Sequence, residues 1–151
     1  MSSSITASIA NRTHSILIDT GASISAISQQ LLSKLPKYCY RLIDSKKPTV
    51  FTASGEMMNI VETVSIDVNV NGLILPCVFH VTPTLSACTD IIFGVDLLQQ
   101  FSCVIDLSCG TVSFYDGLIT VGLQRRRVSS DLCATMPYDY VLPANTEIIC
   151  R

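Results

Sequence analysis

Residues 58 to 81 constrain the fold more than any other stretch. From Met58 to Val70 the chain alternates almost without a break. Ile60, Val64, Ile66, Val68 and Val70 fall on one face; Thr63, Ser65, Asp67 and Asn69 fall on the other. A period of two belongs to a half-buried β-strand and lays no apolar stripe along a helix. Asn71-Gly72 follows directly, a pair suited to a type I′ turn, in which both central residues take φ > 0. Leu73 to Val81 then reads as the returning strand, and Pro76 within it, lacking an N–H, marks an edge or a bulge. A hairpin of this length has to bury its apolar face against more sheet.

The remaining elements agree with an all-β chain. Ile5 to Ile18 reads as two strands turning near Asn11-Arg12, and "SCVIDLSCGTVSFY" as two short strands around Ser108-Cys109-Gly110. A further hairpin is expected around Ala53-Ser54-Gly55-Glu56, joining Thr49–Thr52 to the long strand. Helix is scarce. Ser28 is placed to cap a short helix over Gln29 to Leu35, stopped by Pro36. Val95 to Phe101 sets Leu97, Leu98 and Phe101 at helical spacing. The composition shifts near Gly117, so residues 1–117 are read as one domain. Residues 118–151 are read as an appended C-terminal segment, a linker or extra strands, too short for a core of their own.

Composition excludes several function classes. Hydrophobic residues make up 48% and charged ones 15%, which fits a surface buried against a partner. No apolar run approaches the roughly 18–20 residues of a spanning helix, so no membrane role is expected. The net charge is −2, which provides no field for nucleic acid. Arg125-Arg126-Arg127 is read as a solvated loop or linker, with no zinc knuckle or aromatic platform beside it. Met1-Ser2-Ser3-Ser4 lacks the charged start and apolar run of a secretory leader. Seven cysteines with no C-x-x-C suggest reduced thiols in an intracellular, cytoplasmic setting. Cys77 and His80 form C-x-x-H, but strand alternation puts them on opposite faces, so no metal site and no cofactor are expected.

The chemistry lies in Asp19-Thr20-Gly21, directly after the apolar run Ile16-Leu17-Ile18. A carboxylate at the end of a buried strand is costly unless it is paired or used. In isolation it reads as an Asx turn. The alternative is one half of a two-carboxylate acid–base site, in which one carboxylate takes a proton from water and the other polarises a carbonyl. Ile16 to Ser23, "ILIDTGAS", resembles the catalytic loop of the retroviral-type aspartic proteases, the retropepsins, including those of LTR retrotransposons. Ala22 after the glycine, the flap-like stretch "VFTASGEMMNIVE" (50–62) and "IIFGVDLL" (91–98) stand in that family's order. The resemblance covers roughly residues 5 to 116. Phe93 stands where many retrotransposon enzymes have Leu, and the flap tip has a single glycine.

The resemblance implies a closed β-barrel of the acid-protease kind with a flap hairpin. It implies Asp19 as the catalytic residue, Thr20, Gly21 and Ala22 as its supporting loop, and Ala53, Ser54 and Gly55 as the flap over the substrate. Gly94 is read as a tight turn beneath the loop and Asp96 as a helix-start residue. The chain holds one Asp-Thr-Gly; Asp116-Gly117 lacks the threonine. Two carboxylates then require a homodimer, acting on a peptide or polyprotein. The alternative is a retropepsin-like module that binds or dimerises without turnover.

Overall fold

The computed structural model describes residues 2–51, 55–83, 85, 89–126 and 148–149. Strand β1 (Ser2–Ile9) and β2 (Arg12–Ile18) form the expected first hairpin, with Ala10 and Asn11 both at positive φ in its turn. Then come β3 (Ala26–Ser28), α1 (Gln29–Lys34), a 3₁₀ turn at Lys37–Cys39, and β4 (Tyr40–Ile43). The long hairpin is β5 (Glu62–Val70) and β6 (Leu73–Thr82), joined by Asn71 at φ +51° and Gly72 at φ +92°. After β7 (Ile91–Phe93) come α2 (Val95–Gln100), β8 (Val104–Asp106), β9 (Thr111–Phe114), β10 (Ile119–Gly122), β11 (Gln124–Arg126) and β12 (Ile148–Ile149).

Six strands close a barrel in the order β1-β2-β7-β3-β6-β5, and a Ser8–Asn69 pairing returns β5 to β1. Closure gives each of those strands a neighbour on both sides over part of its length. β4 extends the sheet beyond β5, and β11 extends it beyond β1. β10, β9, β8 and β12 form a second, smaller sheet. Within the barrel β2 runs parallel to β7 and β3 parallel to β6; the other pairings are antiparallel.

The alternation is observed as read. Val64, Ile66, Val68 and Val70 of β5 face Leu75, Cys77, Phe79 and Val81 of β6 inside the barrel. Ile5, Ala7, Ile9, Ile16 and Ile18 fill the opposite wall, and Leu97, Leu98 and Phe101 of α2 complete the same core. The Phe79 and Phe93 rings lie 5.9 Å apart at a tilt. Pro76 pairs with Asp67 on one side only, since β3 reaches β6 only at His80 to Thr82. The proline thus sits where no second neighbour needs its missing N–H.

Two details differ from the sequence reading. β5 begins at Glu62, not at Met58. Its ladder with β6 ends at the Glu62–Val81 pair and its ladder with β4 at Thr63–Ile43; among the described residues before 62 only the Val61 N–H still reaches β6, at the Val81 carbonyl 2.8 Å away. Arg125 and Arg126 belong to edge strand β11, paired with Ser3 and Ser2, rather than to a loop. Cationic side chains are a common device for keeping such an edge from pairing further. Arg127 lies outside the described residues.

Candidate active site

Asp19 sits where β2 leaves the sheet. Ile16, Leu17 and Ile18 before it are all buried, flanked by β1 on one side and β7 on the other. The Asp19 N–H donates to the Phe93 carbonyl at 3.0 Å, extending the parallel β2–β7 pairing by one step. The chain then turns: the Ala22 N–H donates to the Asp19 carbonyl at 3.2 Å, and the Gly21 N–H donates to Asp19 Oδ1 at 2.9 Å. The carboxylate is therefore buried, with one oxygen oriented by a backbone donor two residues on. Such a fixed orientation on a strand end is what a general acid or base requires.

The other loop residues take distinct places. Thr20 is half-buried, and among the described residues its buried Oγ1 has no hydrogen-bond partner. Ala22 packs with Leu85 on a small apolar cluster built from Leu17 and Ile92, on the strand face opposite the main core. Gly21 is exposed. Asp19, Thr20, Gly21 and Ala22 thus form one turn, as read from the sequence.

Gly94 lies directly against this turn. A Cβ built there would meet the Ile24 carbonyl oxygen at 2.2 Å and the Ala22 carbonyl oxygen at 2.8 Å. Its φ of −92° and ψ of −173° are open to any residue, so the glycine answers to proximity rather than to backbone conformation. The Val95 N–H donates to the Ala22 carbonyl at 2.8 Å, which fastens the start of α2 to the loop.

Of the flap residues, Gly55 occupies an exposed bend at φ +88°, while Ala53 and Ser54 lie outside the described residues. On the described arms of that hairpin Phe51 bridges to Met57, and the Met58 N–H donates to the Val50 carbonyl at 2.7 Å. Phe51 and Met57 are both well exposed.

Cys77 is sealed in the core, where burial drives its thiol pKa far up, while His80 on the other face meets Thr63 through Nδ1 at 3.1 Å. The pair therefore does not converge on one ligand. Asp90 accepts from the Ser28 hydroxyl at 2.7 Å, and Asp106 accepts from Ser108 and Cys109 in a local turn. One contact of the loop lies beyond the sequence reading, which does not single out Ser25 and takes Asp96 only as a helix-start residue. Ser25 and Asp96 bond each other through side chain and backbone. They are 71 positions apart, so no local pattern announces the contact.

Comparisons with known proteins place the chain in a family and agree with the fold. The family model described as "gag-polyprotein putative aspartyl protease" matches residues 5–100. The DNA damage-inducible protein 1 of Cryptococcus neoformans var. neoformans serotype D, in strains JEC21 and B-3501A, is 30% identical over 95 residues, 63% of this chain. The match spans 21% of those relatives' length. Among solved structures, the retroviral protease-like domain of Ddi1 from Leishmania major superposes with a TM-score of 0.64 at 19% identity, over 83% of this chain and 92% of that one. The EIAV protease, complexed with the inhibitor HBY-793, gives 0.50 at 20% identity, over 64% and 85%. At these identities the structures speak for the fold.

Proposed function

Given that the chain belongs to the gag-polyprotein aspartyl protease family, we propose that it is an aspartic endopeptidase whose active site forms between two copies. Each copy contributes Asp19. Like charges a few ångströms apart cannot both ionise easily, so the pair shares one proton. (Aspartic proteases are the standard example of this behaviour.) The ionised member takes a proton from water, which attacks the peptide carbonyl; the neutral member protonates the carbonyl oxygen. No covalent enzyme intermediate is required.

The observation that carries this reading is the Asp19 turn itself: a buried carboxylate at a strand end, oriented by the Gly21 N–H, beside a threonine hydroxyl with no partner among the described residues. A buried hydroxyl without a partner costs about 1–3 kcal/mol. In a symmetric pair each Thr20 would donate to the other copy's loop and remove that cost. The low charge content of the chain suits a buried interface.

The substrate in this reading is an extended polyprotein, with apolar side chains flanking the cut, and the source is a retroelement of the LTR type. The hairpin around Gly55 would close over the peptide, exclude water and add backbone bonds. The thiols of Cys39, Cys77 and Cys109, all free, suit a reducing cytoplasm.

The test is peptide hydrolysis across protein concentration, run beside sedimentation. Activity should rise with the dimer fraction, vanish in Asp19→Asn, and follow a bell-shaped pH profile with a mildly acidic optimum. Normal turnover by Asp19→Asn would refute the proposal. Intact dimers without hydrolysis at any pH from about 3 to 7 would favour the binding module instead.

A further inference from the structure

The loop that starts at Asp19 ends at Ser25, and Ser25 is fully buried. Its hydroxyl donates to Asp96 Oδ1 at 2.5 Å and accepts from the Gly94 N–H at 2.8 Å. Its own N–H donates to Asp96 Oδ2 at 3.0 Å, and its carbonyl accepts from the His80 N–H at 3.0 Å. Every polar group of Ser25 is thus engaged, and by two separate elements, α2 and β6. Asp96 Oδ1 also accepts from the Leu97 N–H at 2.7 Å, which fixes the carboxylate to its own helix turn.

Segment 93–96 therefore holds the loop through four residues, the fourth being Gly94, whose N–H donates to the Ser25 hydroxyl. Phe93 receives the Asp19 N–H and Val95 donates to Ala22, both through backbone atoms that any sequence offers. The contacts at Ser25 depend on side chains: the Asp96 carboxylate, and the Ser25 hydroxyl that Gly94 also meets. Without the Asp96 carboxylate, Ser25 would retain the backbone link to β6 and the single bond from the Gly94 N–H, but lose both bonds to α2 itself. A part-buried carboxylate in a two-pronged contact is stronger and more directional than a neutral bond. An apolar pair would serve packing at least as well, but it would not fix direction.

We propose that Asp96, acting through Ser25, is a positioning residue for the Asp19 carboxylate. The two-pronged contact sets the far end of the loop against α2, and the loop geometry sets where Asp19 presents its oxygens. This rests on the aspartic protease reading of Asp19.

The experiment uses the full chain with Asp96→Ala, Asp96→Asn and Ser25→Ala, and two readouts. The first is kcat and KM on an apolar peptide, normalised to the folded fraction. Misplacement of a reacting group by about 1 Å can cost about a hundredfold in rate. Asp96→Ala and Ser25→Ala should therefore lower kcat by about ten- to a hundredfold and leave KM nearly unchanged. Asp96→Asn, which keeps one acceptor oxygen, should fall between. The second readout is amide hydrogen exchange. Gly21, Ala22 and Ser25 should exchange faster in the same order of variants, while β5 and β6 stay protected. Unchanged kcat in folded Asp96→Ala, or exchange that rises evenly through the barrel, would overturn the proposal. If the wild type hydrolyses nothing, the protease reading fails, and the exchange order alone decides whether Asp96 holds the loop.

Discussion

Gly94→Ala isolates the close approach beneath the Asp19 turn. The backbone at this position suits alanine, so φ and ψ contribute no penalty. The added methyl would sit 2.2 Å from the Ile24 carbonyl oxygen, 2.5 Å from its carbon and 2.8 Å from the Ala22 oxygen. That is short of ordinary contact by roughly 1 Å. All three atoms are backbone, so no side chain can rotate away, and either the loop or α2 must move. Overpacking a closed site costs about 1–3 kcal/mol, and the rigid neighbours place this substitution near the top of that range. For a domain of this size about 3 kcal/mol lowers the melting midpoint by on the order of 10 °C and the urea midpoint by about 1–2 M. Gly122→Ala is the internal control: its Cβ would meet nothing within 4 Å and its φ is ordinary, so it should lie within about 0.5 kcal/mol of the parent. Thermal and urea unfolding of the two variants, side by side, measure the difference. A Gly94→Ala protein that melts with the Gly122→Ala protein would refute the steric reasoning.

Other consequences can be checked on the same protein. Ser28 accepts the Leu31 N–H at 3.1 Å as the cap of α1 and donates to Asp90 at 2.7 Å. Ser28→Ala should therefore cost about 1–2 kcal/mol in urea unfolding, and a cost near zero would contradict the double role. Gly72→Ala forces alanine to φ +92° in the turn of the long hairpin, for a loss of about 1–2 kcal/mol by the same measurement. Burial pushes the pKa of both His14 and His80 below the ordinary value of 6.5; Asp90 and Asp96, respectively, oppose the shift, and Arg12 adds to it at His14. The unfolded chain then binds more protons in that window, so stability is complete above 6.5 and declines as pH falls through the folded values. Melting midpoints should drop from neutral pH toward about 5, and His80→Asn should make the slope shallower; a midpoint that rises on acidification there would contradict the assignment.

What was legible in the sequence was what neighbours along the chain decide. The alternation of β5, the Asn71-Gly72 turn, the Ser28 cap and the Pro36 stop each involve residues a few positions apart, and each is found in place. β3 and β4 were not legible. β3 is three residues long and exists because β6 and β7 accept it between them. β4 is mostly exposed, shows no apolar alternation and is held by β5 alone. The parallel pairing of Leu17 with Ile92 and Ile18 with Phe93 links residues some 75 apart, and no local signal encodes it. The same holds for the site. The Asp19 turn is local, and its Asp-Thr-Gly pattern names it. The bonds from Ser25 to Asp96 and Gly94 exist only once the barrel has closed.

Register explains why Asp19 is found where it is. Ile16 and Ile18 point to the main core, and Leu17 to the second cluster with Ile92. A slip of β2 by one residue would exchange these faces and bring Asp19 to the core parity. The apolar side chains would still find contacts in either register, but an unpaired carboxylate in the core would cost several kcal/mol. The Ala10–Asn11 turn opposes the slip from the other end, because its positive φ values fix the hairpin pairing from Ile9–Arg12 onward. The acidic residue that would do the chemistry thus also helps select the strand register that presents it, since the register in which it stays on the Leu17 side is the one without a buried, unpartnered charge.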